Sequence, residues 1–231
     1  MSVGWKAGVF LRPLMEPANP AQDAPTCLPQ RLLQGVVRLF MRLGIKSVNM
    51  DDVARELGVS KKTLYKHVRD KRDLVSQALD AMIAENAAML QEIAHAPGNA
   101  IDRHFIVLRR IRKMTQGMHP SVHFDLEKYY PEELQKLNER RDLLIQETVG
   151  RNLQRGQEEG IYRTDIDPRL ISRFMVALID AVDRAEAATQ FDRPLSELII
   201  DTFAYHIRGI ATREGWEYLE QKLASEFPKN A

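Results

Sequence analysis

The sequence predicts an all-α fold, with a small N-terminal bundle of three helices followed by a larger helical domain. Three observations favour it. Apolar residues, 44% of the 231, recur at helical spacing along most of the chain. Capping residues and glycines mark where helices begin and end. The sequence has no β-branched runs with the period-two alternation that half-buried strands show.

The first 27 residues differ from the rest of the chain. They contain Pro13, Pro17, Pro20 and Pro25 among small polar residues, without helical or strand periodicity. Such a segment cannot bury an apolar face. We predict a flexible extension over residues 1–27 and a first domain over residues 28–75.

Three helices are predicted in this first domain. Apolar residues at helical spacing define helix 1, which ends at Gly44. These residues are Leu32, Val36, Leu39, Phe40 and Leu43. Asn49 is a good cap for a second helix that ends at Gly58, and Ser60 caps a third that runs to Val68. Two short helices joined through a glycine turn form a helix-turn-helix, here over residues 49–68.

The chemistry of the third helix suits DNA. Leu64 and Val68 are predicted to face inward, and no acidic residue occurs from Ser60 to Arg69. Cations, hydroxyls and an imidazole on the remaining faces can bind phosphates or read base edges. We predict DNA contacts from Asn49, Lys61, Lys62, Thr63, Tyr65, Lys66, His67 and Lys71. The alternative is a solvated helix face on a generic helical corner.

Charge is distributed unevenly along the chain, whose net charge is only +1. Residues 31–80 hold eleven Lys and Arg against six Asp and Glu, a net charge of +5. Residues 1–30 are balanced, so residues 81–231 carry a net −4. This asymmetry is expected when only the N-terminal part of a protein meets phosphate.

The second domain is predicted over residues 76–231. A long helix begins at Asp70 and ends before Pro97-Gly98, and further helices are predicted at about 100–116, 121–128, 132–158, 168–187 and 194–211. The last two have broad apolar faces, which a globular monomer would have to bury on two sides. One of these sides could face a partner subunit.

Residues 31–80 resemble the DNA-binding domain of the TetR (tetracycline repressor) family. The resemblance rests on residues 49–54 opening helix 2, residues 58–60 in the turn, residues 63–65 in the recognition helix and residues 70–74 at the start of the next helix. It implies that Tyr65 and Lys71 contact phosphates and that Lys61 to Lys66 meet the major groove. Lys62 and the pair Val68-Arg69 depart from the family pattern, so the operator sequence is not predictable.

The resemblance also implies a repressor that binds a palindromic double-stranded operator as a homodimer. The dimer interface would be formed by the last two predicted helices, over residues 168–211, whose broad apolar faces suit that role. Its two recognition helices would lie about 34–36 Å apart, or a multiple of that. A small-molecule effector of unknown identity would bind within the C-terminal helices and shift the protein away from its DNA-binding state. The candidate lining residues are His104, Phe105, Leu108, Met114, His123, Phe124, Tyr130, Phe174 and Met175.

Other functional classes find less support. His119 and His123 are spaced like helical metal ligands, but Pro120 intervenes and no partner ligand is evident, so we predict no metal. No cofactor motif, phosphate loop or catalytic nucleophile motif is present, and we predict no enzymatic activity. The single Cys27 and the lack of about 18 consecutive apolar residues favour a cytoplasmic protein without a membrane span.

Two alternatives stay open at this point. The chain could be an interaction protein of the same fold that uses DNA as a platform and has no small-molecule effector. It could also be a helix-rich enzyme in which the helical corner is incidental.

Overall fold

The computed structural model describes residues 27–115, 117–187 and 194–227, without the side chains of residues 183–187 and 195. Within these ranges the regular structure is α-helical and contains no strands, which confirms the predicted fold class. The helices are α1 Gln30–Leu43, α2 Met50–Leu57, α3 Lys61–Leu64, α4 Lys71–Ala94, α5 Ala100–Thr115, α6 Ser121–Tyr129, α7 Pro131–Glu158, α8 Pro168–Ala187, α9 Leu195–Ile210 and α10 Arg213–Glu226. Except for Cys27, the predicted flexible extension lies outside the described residues.

The predicted helix boundaries in the first domain depend on local signals that the structure reproduces. The side chains of Asn49, Ser60 and Asp70 each accept a hydrogen bond from a backbone amide in the first turn of the following helix. Gly58 ends α2 in the left-handed conformation, with φ 65°. Gly44 ends α1 with φ 80°, a conformation that favours glycine.

Two expectations about the helices were wrong. The third helix covers only Lys61–Leu64, because the amides of Lys66 and His67 bond three residues back and tighten the chain into a turn. The side-chain amide of Gln77 then donates to the carbonyl of His67, at 3.1 Å. A helix after residue 211 was not expected, but α10 is present there, and Thr212 caps its first turn.

The described residues form two apolar cores. The first joins α1–α4 to α6, with Val122 and Leu126 of α6 buried beside Phe40 and Val75. The second joins α5 to α7–α10. The α6 helix therefore packs on the N-terminal bundle and links it to the larger domain. None of the helices in the described ranges is long and apolar enough to span a membrane.

Candidate nucleic-acid interface

The start of α2 is held by a reciprocal pair of hydrogen bonds. The side-chain oxygen of Asn49 accepts from the amides of Asp51 and Asp52, at 2.9 and 3.0 Å. The carboxylate of Asp52 accepts in return from the amide of Asn49, at 3.0 Å. This capping box fixes the direction in which α2 leaves the preceding loop. The amide oxygen of Asn49 is thus used within the protein, and its contact with DNA stays a prediction.

The α3 helix is held against the bundle by the two residues predicted to face inward. Leu64 and Val68 are fully buried in the first core, four residues apart. Ser60 caps the helix by accepting a hydrogen bond from the amide of Thr63, at 3.0 Å. These three contacts fix the orientation of a helix that, at four residues, is too short to be stable alone.

Most of the candidate DNA contacts are exposed on the opposite side of α3 and the turn that follows it. The exposed residues are Lys61, Lys62, Thr63, Tyr65 and Lys66. The ammonium of Lys61 also lies 3.0 Å from a carboxylate oxygen of Asp51, and this hydrogen bond raises the pKa of Lys61. His67 is half-buried, at the edge of the exposed group. Residues 61–67 therefore present cations and hydroxyls and contain no carboxylate, and the nearby carboxylate of Asp51 on α2 pairs with Lys61.

Lys71 sits at the first position of α4 but is partly withdrawn from solvent. Its ammonium donates to the backbone carbonyl of Lys46 at 3.2 Å, which ties α4 to the loop before α2. Burial lowers the pKa of Lys71 from its ordinary value. A cation at the start of a helix opposes the helix dipole, and this hydrogen bond explains its presence without DNA. The contact of Lys71 with phosphate stays a prediction.

A buried carboxylate on α6 holds the N-terminal bundle to the larger domain. Asp125 is 3% exposed and accepts hydrogen bonds from the amides of Ile45 and Lys46, at 2.9 and 2.8 Å. On the next helix, Glu133 lies 2.7 Å from the guanidinium of Arg72. Sequence periodicity does not indicate this structural role of Asp125, because its hydrogen-bond partners lie about 80 residues earlier in the chain.

Replacing Asp125 should destabilise the protein and loosen this link. In an Asp125→Ala variant, two amides lose their acceptor, and we expect a loss of about 2–4 kcal/mol in unfolding free energy. Urea denaturation followed by circular dichroism measures it. Glu127→Ala, an exposed position on the same helix, is the matched control and should change stability by less than about 0.5 kcal/mol. Equal stability of the two variants would contradict the role of Asp125.

Comparison with known proteins identifies the N-terminal bundle. A sequence model of the bacterial regulatory proteins of the tetR family matches residues 32–78. Residues 32–78 are thus a DNA-binding domain of the tetR family type. With this domain the chain is a DNA-binding transcriptional regulator. The residues matched include all of α2, the turn, α3 and the start of α4.

Two curated relatives are also transcriptional regulators. The transcriptional repressor KstR2 of Mycolicibacterium smegmatis is 23% identical over 169 residues, which cover 70% of this chain and 79% of that protein. A transcriptional regulator of Staphylococcus aureus strain USA300 is 40% identical over 45 residues, 20% of this chain and 24% of that protein. The higher identity is thus confined to a short segment.

Solved structures share the TetR fold along most of the chain. The regulatory protein TetR of Rhodobacter sphaeroides aligns with a TM-score of 0.62 at 16% identity, covering 78% of this chain and 97% of that one. FadR of Bacillus subtilis, solved with stearoyl-CoA, gives 0.58 at 18% identity, covering 78% and 98%. A transcriptional regulator of Saccharomonospora viridis, solved with choline, gives 0.59 at 22%, covering 80% and 97%.

The larger domain contains an apolar cavity of about 360 Å³ between α4, α5, α7, α8 and α9. Its walls include Met89, Ile111, Ile145, Ile179 and Phe203. A volume of this order is typical of small-molecule sites. Among the residues predicted to line a ligand site, His104 and Met114 are in this cavity wall.

The other predicted lining residues lie elsewhere. Phe105, Leu108 and Met175 are buried in the second core and do not line the cavity. Tyr130 is buried in the first core, because α6 packs on the N-terminal bundle. Phe124 and Phe174 are exposed, and His123 is half-buried on α6. Helical spacing cannot separate a residue that faces a cavity from one that faces a packed core.

Two buried histidines meet beside the cavity. The ring centroids of His104 and His206 are 6.2 Å apart, and Nε2 of each ring has no hydrogen-bond partner among the described residues. Burial, with a smaller effect from His206, lowers the pKa of His104 to about 3. Burial lowers the pKa of His206 to about 4. Both rings are therefore neutral at pH 7.

Proposed function

We propose that this TetR-family protein is a homodimeric repressor that a small-molecule effector releases from a palindromic operator. The observation that carries the proposal is the exposed, acid-free surface of residues 61–67, fixed to the bundle through Leu64 and Val68. A regulator of bacterial DNA acts in the cytoplasm. We expect it to have no enzymatic activity, in keeping with relatives that are regulators.

We assign two kinds of DNA contact to this surface and to Lys71 beside it. Tyr65, which is 43% exposed, and Lys71 are proposed to hold the phosphate backbone. Lys61, Lys62, Thr63 and Lys66 are proposed to meet base edges in the major groove, with His67 at the margin. The proposed boundary between domains, at residues 75 and 76, falls within α4, so this helix passes from one domain to the other.

Loss of a phosphate contact should weaken binding to every DNA sequence alike. We expect Tyr65→Ala and Lys71→Ala to lower affinity for operator and non-operator duplexes by similar factors. Lys71→Ala should also reduce the slope of log K against log salt by about one. Fluorescence anisotropy at several salt concentrations measures both. An unchanged slope in Lys71→Ala would contradict the assignment of Lys71.

Loss of a base contact should instead change which sequence is preferred. We expect Lys62→Ala and Lys66→Ala to lose about 1–3 kcal/mol of discrimination at individual operator positions. Competition with single-base operator variants measures it. The control is Arg38→Ala, on α1, which should preserve the preference. Identical preferences in all variants would contradict a reading role for Lys62 and Lys66.

The dimer is proposed to form through α8 and α9. Leu170 and Phe174 are both exposed and lie four residues apart on one face of α8. On α9, Tyr205 is 72% exposed. Large apolar side chains grouped on neighbouring helices are typical of a protein–protein interface. A dimer with twofold symmetry, joined through these faces, would place the two DNA-binding surfaces on one side of the dimer.

The apolar cavity is the proposed effector site. Structures of the same fold were solved with stearoyl-CoA and with choline, which supports a small-molecule ligand for this chain without indicating its identity or its site. Two methionines of the cavity wall lie at the connection from α5 to α6: Met114 is near the end of α5, and Met118 is in the connection itself. Within that connection, the amide of His119 donates to the carbonyl of Met41 in α1, at 2.6 Å. Ligand that displaces this connection would move the N-terminal bundle.

The purified protein and the intergenic DNA upstream of its own gene test this proposal. We expect a mobility shift at moderate salt that weakens as salt increases, and release of the DNA by a compound in a metabolite panel. Absence of a shift would overturn the proposed repressor. Binding at many dispersed sites without any releasing compound would favour the interaction protein that uses DNA as a platform.

A further inference from the structure

Three lysines from separate elements meet beside the start of α4. They are Lys46 in the loop before α2, Lys71 at the first position of α4 and Lys128 near the end of α6. The ammonium of Lys71 donates to the backbone carbonyl of Lys46 at 3.2 Å. The ammoniums of Lys46 and Lys128 lie 4.8 and 5.6 Å from the centre of the same Tyr129 ring. These three lysines and Tyr129 form a lysine cluster that joins three elements.

Within the described part of the chain, none of the three ammoniums forms an ion pair with a carboxylate. Lys61 of α3, by contrast, pairs with Asp51. Lys46 and Lys128 are exposed. Like charges held this close repel one another, and an anion bound among them would offset the repulsion. The lysine cluster therefore has the charge of an anion-binding surface.

The carboxylates that act on Lys46 and Lys71 through their charge are those of Asp125 and Asp52. Asp125 is buried and accepts hydrogen bonds from two backbone amides of the loop before α2. Asp52 accepts from the amide of Asn49 and pairs with a neighbouring arginine of α2. Both carboxylates are thus occupied within the protein, and no described carboxylate contacts an ammonium of the lysine cluster.

Tyr129 positions one of the lysines and keeps a donor available. Its hydroxyl oxygen accepts a hydrogen bond from the ammonium of Lys46, at 2.7 Å. This bond raises the pKa of Lys46 and lowers the pKa of Tyr129. The hydroxyl proton of Tyr129 has no acceptor among the described residues, so it can be donated to a bound group. The lysine cluster therefore offers a hydroxyl donor in addition to its ammoniums.

We propose that the lysine cluster binds the phosphate backbone of DNA and extends the DNA interface from the helix-turn-helix onto α6. The inference rests on the proposed DNA contacts of residues 49–71. Phosphate oxygens accept strong hydrogen bonds from ammoniums and also accept from tyrosine hydroxyls. The lysine cluster is continuous with the proposed DNA surface, because Lys71 belongs to both and Lys46 lies three residues before Asn49. DNA would then contact α6 as well as the N-terminal bundle.

The salt dependence of operator binding measures how many phosphates the lysine cluster binds. We expect Lys46→Gln and Lys128→Gln each to reduce the slope of log K against log salt by about one, and the double variant by about two. Both side chains are exposed, so the variants should fold like the wild type. Fluorescence anisotropy with an operator duplex measures the slopes. Unchanged slopes in both single variants would overturn the proposal.

Two kinds of control separate the phosphate contact from a general effect of charge. Arg110→Gln removes one positive charge from an exposed position on α5, in the larger domain, and should keep the wild-type slope. Lys46→Arg and Lys128→Arg keep the charge and should also keep the slope. A slope that falls as much in Arg110→Gln as in Lys46→Gln and Lys128→Gln would overturn the proposal, because the effect would then not depend on the lysine cluster.

Neutral methylphosphonate linkages, placed one at a time in the operator, locate the contact. A linkage at a phosphate that the lysine cluster binds should weaken binding of the wild type. The same linkage should leave binding of the Lys46→Gln, Lys128→Gln double variant unchanged, because that contact is already lost. If every linkage weakens the double variant as much as the wild type, the proposal is overturned.

The proposed DNA contacts of residues 49–71 and the role of the lysine cluster can fail separately. A wild-type protein that binds no DNA would refute both. A wild-type protein whose slope falls in Lys71→Ala but not in Lys46→Gln or Lys128→Gln would support the contacts of residues 49–71 and overturn the extension onto α6.

Discussion

A Phe174→Arg variant is expected to be monomeric and to lose most of its affinity for the operator. Phe174 is 53% exposed, so an arginine there should fold as well as the native chain. In the proposed dimer, by contrast, it would place a charge inside an apolar interface. Two linked DNA-binding surfaces bind about 10²–10⁴-fold more tightly than a single one. A monomer should therefore bind the full operator more weakly than the dimer by about the same factor.

Analytical ultracentrifugation and fluorescence anisotropy measure the two parts of this prediction. Trp216→Arg is the matched control, because Trp216 is an aromatic residue of similar exposure on α10, outside residues 168–211. It should stay dimeric and keep its operator affinity. A Phe174→Arg variant that remains dimeric and binds the operator like the wild type would place the interface elsewhere.

Stability should fall steeply as the pH drops below about 6.5. The buried His104 and His206 have pKa values of about 3 and about 4, whereas both titrate near 6.5 in the unfolded chain. Between these limits the unfolded chain binds more protons than the folded one, so acid favours unfolding. The two histidines contribute stability that is complete above pH 6.5. As the pH decreases toward 4, protonation of the two histidines in the unfolded chain should lower the free energy of unfolding by up to about 2.7 kcal/mol per pH unit.

Urea denaturation between pH 7.5 and pH 5.5 checks the slope. A His206→Leu variant should show about half of the wild-type slope, since only His104 then discriminates between the folded and unfolded chains. His95→Gln replaces an exposed histidine and should keep the full slope. Wild-type stability that is constant from pH 7 to pH 5.5 would show that the pair becomes protonated without unfolding.

Local chemistry allowed most helix boundaries to be predicted. Caps at Asn49, Ser60 and Asp70, and the glycines at 44 and 58, act on the nearest turn and are visible in the sequence. The end of α3 was not visible, because its turn depends in part on Gln77, ten residues beyond the carbonyl it binds. Long-range hydrogen bonds of this kind leave no periodic signal.

The same limit separates the two candidate sites. The candidate DNA contacts all lie between residues 49 and 71 of the chain, so their shared chemistry could be recognised together. The cavity takes its walls from five helices, and only His104 and Met114 among the predicted lining residues are in it. Asp180 gives a further example, since its carboxylate pairs with the guanidinium of Arg141 on α7, 39 residues earlier in the chain. Which buried side chain faces an opening depends on how helices pack.

In vitro selection from a library of random DNA duplexes tests most directly whether residues 49–71 read DNA. We predict that the wild-type protein enriches a twofold-symmetric sequence, with half-sites centred about 34–36 Å apart or a multiple of that. A double variant, Lys62→Ala with Lys66→Ala, should enrich a different or less defined sequence. Two results would contradict the claim that these residues read DNA. One is selection that enriches no sequence, and the other is a double variant that enriches the same sequence as the wild type.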